Sequence, residues 1–121
     1  MTDIGDRLLD FASDIIRLTV RLQRTTTGRY LANQLMRSAA SAGANYREAC
    51  GAESKADFVH KMQIVLKELR EAEYWLQLLA RANVAPADTL KPLTAKVDEL
   101  VRILVKSVVT AKERNQKCGA S

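Results

Sequence analysis

Seven apolar residues, Phe58, Met62, Val65, Leu69, Ala72, Leu76 and Leu79, recur at alternating intervals of four and three without a slip. At about 3.6 residues per turn, that alternation keeps all seven on one side of an α-helix. A β-strand would scatter them over both faces. A helix striped in this way gains most of its stability from neighbours that cover the stripe, so the rest of the chain must supply them.

Three further segments do so. The first carries Ile4, Leu8, Phe11, Ile15, Leu18 and Leu22, with the same alternation. It should break in Arg24-Thr25-Thr26-Thr27-Gly28, where β-branched residues lead into a glycine. The second places Leu31, Leu35, Ala39, Ala42, Tyr46 and Ala49 on one face, with Gly51 positioned just past its C-terminus. Ser54 and Asp57 resemble a capping box for the third helix, and Asn83-Val84-Ala85-Pro86 ends it. The fourth shows Leu90, Leu93, Val97, Leu100, Leu104, Val108 and Ala111. Pro86 suits its first turn, whereas Pro92 requires either a later start near Thr89 or a kink. The expected helices are 4–24, 28–50, 55–82 and 86–114 of a single domain, 1–121. Connections this short make successive helices antiparallel, so the expected fold is all-α, an antiparallel up-down-up-down four-helix bundle.

Composition narrows the function classes. No segment approaches the roughly 18 apolar residues of a membrane span, and the N-terminus lacks the features of a secretory signal. A cytoplasmic protein is the expectation. Cys50 and Cys118 stand far apart without metal-ligand spacing, which predicts free reduced thiols. No phosphate-binding, dinucleotide-binding, zinc-protease or nucleophile-elbow motif occurs, so no catalytic residue, cofactor or metal is expected. His60, the only histidine, falls off the seam of the third helix and should be exposed.

The second helix is the unusual one. Gln34, Arg37, Ser41, Asn45 and Glu48 form a polar stripe beside the apolar one, and positions 38–44 are seven small residues in a row. Gly43 inside a helix costs about 1 kcal/mol relative to alanine, which a closely approaching helix would offset. The third helix offers a facing flank of Ile64, Glu68, Glu71, Trp75 and Leu78. Arg37 opposite Glu48, Glu68 or Glu71 would make a partly buried ionic seam. The competing reading of Glu68 and Glu71 is a solvated face.

The pattern Leu31-x-x-Gln34-Leu35-x-Arg37-Ser38-Ala39-x-Ser41-Ala42-x-x-Asn45-Tyr46-x-Glu48-Ala49 resembles the signature of the bacterial four-helix-bundle family named after proteins encoded in 23S rRNA intervening sequences. Phe58 and the run from Ile64 to Leu76 are similar to that family too, and the likeness covers roughly residues 8–85. The family pattern usually carries alanine at position 38, isoleucine or valine at 42, isoleucine at 46 and glycine at 49, where this chain has Ser38, Ala42, Tyr46 and Ala49. The resemblance implies an antiparallel four-helix bundle assembled as a homopentameric ring. A similar bundle is the accessory protein of diversity-generating retroelements, which associates with a reverse transcriptase and nucleic acid.

Charge adds a candidate surface. The chain carries a net +5 with a pI near 9.5, and from Arg17 to Arg37 there are five arginines and no acid. Arg17, Arg21, Arg24 and Arg29, with Lys112, Arg114 and Lys117 near the C-terminus, are the candidate anion-binding residues. The acid-to-base order along the first helix, from Asp10 and Asp14 to Arg24, also complements the helix dipole and allows an Asp14–Arg17 pair. A pentamer would raise the charge to about +25. The expected function is a homo-oligomeric scaffold, with Tyr46 and Trp75 contributing spare apolar surface, that binds RNA or DNA. The alternative is a protein–protein adaptor ring that touches no nucleic acid, and an enzyme with its site between subunits is a third reading.

Overall fold

The computed structural model describes residues 3–113. Four helices make up almost all of it: α1 (Ile4–Arg21), α2 (Thr26–Cys50), α3 (Lys55–Arg81) and α4 (Ala87–Glu113). Each apolar stripe faces inward. All seven residues of the α3 stripe are buried, and five of them, Val65, Leu69, Ala72, Leu76 and Leu79, are fully so. The stripes of α1, α2 and α4 meet them in one core, with Ile4 alone half-buried at its edge. α2 packs closely on α3, α3 on α4 and α1 on α2, whereas α1 and α4 touch sparingly. The result is the expected antiparallel bundle.

Local chemistry sets the helix ends. Asp3, Thr25 and Ser54 each accept the backbone N–H three residues on, at 2.8, 2.9 and 3.1 Å, and so cap α1, α2 and α3. The threonine run therefore starts α2 rather than only ending α1. α1 stops at Arg21, three residues before the expected end, and Gly28 lies in the first turn of α2. A Cβ on Gly28 would overlap the carbonyl oxygen of Leu22, so that turn requires glycine. Gly51 is itself the C-cap of α2, with φ −98°, and is not in the left-handed position expected after the helix. Asn83 is in that region after α3, with φ 58°. The bonds Asn83 N to Ala80 O (3.2 Å) and Val84 N to Leu79 O (3.0 Å) complete a Schellman motif. α4 begins at Ala87 and runs through Pro92, whose ring lies on the exposed face.

Two expectations are corrected. Tyr46 belongs to the core and contributes no spare apolar surface. Ser38, Ala42, Tyr46 and Ala49 are all buried, so the four departures from the family pattern are exchanges of core volume. Cys50 is disulfide-bonded and is not the free thiol expected there. Cys118 lies outside the described residues. The topology returns the end of α4 to the α2–α3 connection, where Lys55 Nζ donates to Lys112 O at 2.7 Å.

Candidate functional site

The outer crevice between α2 and α3 is where the sequence-marked polar residues gather. Antiparallel packing brings Arg37 of α2 opposite Glu68 and Glu71 of α3. Arg37 Nη1 donates to Glu68 at 3.3 Å and Nη2 donates to Glu71. Glu71 also accepts from Trp75 Nε1 at 3.1 Å. The Trp75 hydrogen bond, and then the Arg37 guanidinium, hold the Glu71 carboxyl below the usual carboxylate range, and hydrogen bonding to Glu71 pushes the Arg37 pKa up. Burial is uneven: the Glu68 side chain is 12% exposed, that of Arg37 is 51%. The ionic seam therefore has one dry acid and a wet cation.

The rest of the stripe separates into local pairs. Asn45 Nδ2 donates to Ser41 O and Oγ, at 2.9 and 3.0 Å, within α2. Glu48 pairs with Lys61 at 3.5 Å and takes no part in the Arg37 cluster. Gln34 is half-buried beside Arg37. Gly43 departs from expectation as well, since an added Cβ would find only Leu8 Cβ, at 3.8 Å. No helix of this chain approaches closely enough to need glycine there. Instead Gly43, Ala40 and Ala44 floor an apolar groove of about 450 Å³ between α1 and α2, walled by Leu9 and Ile16 and bordered by Arg47.

The candidate anion-binding residues that are described differ in their partners. Arg17 is drawn to Asp14 at 2.6 Å, and Lys96 of α4 meets the other Asp14 oxygen at 2.6 Å. The Lys96 hydrogen bond is the main reason the Asp14 carboxyl titrates low. Arg21 and Arg24 are exposed. Arg29 donates to Gln23 O (3.0 Å) and Thr26 Oγ1 (3.3 Å), so it closes the α1–α2 turn. Lys112 is exposed on the last turn of α4; Arg114 and Lys117 lie outside the described residues. Among the described residues no cluster of His, Cys, Asp and Glu is placed to hold a metal ion, and no helix is long and apolar enough to cross a membrane. His60 is exposed on α3.

One group escaped the sequence reading. Tyr30, Tyr74 and Trp75 form an aromatic cluster toward the end of the crevice away from the α2–α3 connection, with Trp75 edge-on to Tyr30 (centroids 6.3 Å) and to Tyr74 (5.1 Å). A signal was present, because Tyr30 precedes Gln34 by four and so continues the polar stripe.

Comparison with known proteins agrees with this architecture. A family model described as 23S rRNA-intervening sequence protein matches residues 2–106. The fold is similar to a crystal structure of a protein of unknown function from the S23 ribosomal protein family of Bacteroides thetaiotaomicron, with a TM-score of 0.82 and 35% identity over 87% of this chain and 97% of that one. Among curated proteins no match is found.

Proposed function

The chain belongs to the 23S rRNA-intervening sequence protein family, and from that premise we propose that it is a non-enzymatic homo-oligomeric scaffold that binds RNA or DNA through a basic surface. The observation that carries the self-assembly is the apolar surface left on α1. Leu9, Ile16 and Val20 are 61%, 47% and 69% exposed, and the first two wall the α1–α2 groove. Contiguous apolar surface on a small domain marks an interface. Five copies is the ring size that the family resemblance implies. The net charge of +5 supports an anionic partner. The absence of a catalytic role rests on inventory: the one histidine stands alone on an outer helix face, and no motif places a nucleophile beside a base.

Sedimentation at micromolar concentration tests the assembly, with a mass about five times 13.4 kDa as the expected result. A 13.4 kDa species removes it. Mobility-shift titration with RNA and DNA at about 50 and 200 mM salt tests the binding, which should weaken steeply as salt rises. The adaptor reading draws on the same groove, since its apolar walls suit a protein partner. It leads if the ring forms and nucleic acid does not bind.

A further inference from the structure

We propose that the outer face of α3 is a platform for single-stranded nucleic acid, on which bases stack against the Tyr30–Tyr74–Trp75 cluster while Lys67, Arg70 and Arg81 hold phosphates. The inference rests on the nucleic-acid reading above and assigns the surface and the strandedness of the ligand.

The stripe itself is the first observation. Lys67, Arg70, Tyr74, Gln77 and Arg81 follow one another at three, four, three and four, and all five are exposed. Gln63 and His60 continue the alternation toward the start of the helix, also exposed. Residues so spaced share one face, and this face carries no acid over its whole length. From Lys67 to Arg81 it extends about 21 Å at 1.5 Å per residue.

Its surroundings set it apart from an ordinary solvated helix face. On α1, Asp6, Asp10 and Asp14 mix with Arg17 and Arg21, and on α4, Asp88, Asp98 and Glu99 mix with Lys91, Lys96 and Arg102. Several charges on those two helices pair: Arg17 with Asp14, Arg102 with Asp98, Lys96 with Asp14, Arg7 with Glu99. Lys67, Arg70 and Arg81 form no ion pair among the described residues. Two of the acids nearest the stripe are committed elsewhere. Glu68 and Glu71 are held by Arg37, and Lys67 acts on Glu71 only at longer range. Glu73, partly buried, lies three residues on from Arg70 but forms no ion pair with it. The cations are thus left with solvent, or a ligand, as their counter-charge.

The aromatic distribution is independent of the charge. Phe11, Tyr46 and Phe58 are core residues. The remaining three aromatics, including the only tryptophan, all meet at this crevice. Tyr30 and Tyr74 stay 57% and 55% exposed. Exposed aromatics interleaved with unpaired cations are the chemistry of single-strand binding, where base faces stack on rings and the backbone follows the positive charge. A duplex hides its base faces, so its bases could not use the rings.

The test follows Trp75 fluorescence while the full chain is titrated with an oligothymidylate of about 12 nucleotides, a length within the usual single-strand site sizes, and with a duplex of equal length. The single strand should change the emission and bind more tightly than the duplex. Tyr74→Leu should weaken single-strand binding by roughly 5- to 150-fold, the range for one lost stacking contact. Lys67→Gln with Arg70→Gln should flatten the slope of log affinity against log salt from about −2 to about −0.7, as contacts fall from three to one. Circular dichroism checks that these surface variants fold. Binding that survives both α3 variants but is lost when Arg17, Arg21 and Arg24 become Gln overturns the platform and keeps the nucleic-acid reading. No binding of any nucleic acid by the unaltered chain overturns both. Loss of self-association in the α3 variants, without any nucleic-acid binding, makes the stripe a protein interface and also overturns the platform.

Discussion

Gly43 and Gly28 are both glycines inside α2, yet alanine at the two positions should act in opposite directions. At Gly43 the new methyl group would have Leu8 Cβ at 3.8 Å as its nearest neighbour, an ordinary van der Waals contact. Nothing has to move. Alanine favours a helix interior over glycine by about 0.8–1.0 kcal/mol, and shielding part of a methyl group adds a few tenths. Gly43→Ala should therefore stabilise the folded chain by about 1 kcal/mol, raising Tm by roughly 3–6 °C. At Gly28 the methyl group would overlap the Leu22 carbonyl oxygen and sit 2.9 Å from Thr25 Oγ1, the atom that caps α2. Backbone oxygen cannot turn aside, so Gly28→Ala should cost about 1–3 kcal/mol as an overpacked site. The assay is thermal denaturation by circular dichroism over a range of protein concentrations. At high dilution the Gly43 variant reports the single chain, and there its Tm must rise. A fall at every concentration would refute the view that α1 leaves room above Gly43. A rise at dilution with a fall at high concentration would place a second copy in the α1–α2 groove.

Other outcomes follow from the same structure. Leu69→Ala or Leu76→Ala, both fully buried, should each lose about 2–5 kcal/mol in urea denaturation, and losses below 1 kcal/mol for both would contradict their place in the core. Arg37→Ala should cost about 1–3 kcal/mol, since it strands the nearly buried Glu68 without its partner; a loss near 4 kcal/mol would mean a drier guanidinium than the half-exposed one observed. Asp14 and Glu71 have folded pKa values below their unfolded ones of about 3.9 and 4.3. Their contribution to stability is full above those unfolded values and is lost as pH falls through the folded ones. Stability measured from about pH 5 downward should thus decline less steeply in Asp14→Asn and Glu71→Gln than in the unaltered chain.

Much of the fold was legible because burial in a helical bundle is written in spacing. Every residue of the four stripes apart from Ile4 proved buried, since a 4-3 alternation admits one inward face. The helix ends were less legible. Thr25 reads as a breaker by propensity and as an N-cap by hydrogen bonding, and only the path of the chain decides between them. The site was legible in part. Arg37, Glu68 and Glu71 could be paired from facing stripes, but Glu48 could equally face Lys61, and register settled that. Tyr46 looked like spare surface because an aromatic beside a polar stripe can turn either way. The Tyr30–Trp75 contact joins residues 45 apart in sequence, and neither helix announces it alone.

The sparse meeting of α1 with α4 bears on how the chain acquires its structure. The three close helix pairs are all consecutive in sequence, while the one pair that joins distant segments packs sparingly and is bridged by Lys96–Asp14 and Arg7–Glu99. Most native contacts therefore close loops of one helical hairpin, and a topology of low contact order folds quickly. The α2–α3 hairpin, with the most extensive packing, is where a nucleus would cost least. Docking of α1 against α4 then comes late, so mutations in that crevice should accelerate unfolding and leave the folding rate nearly unchanged.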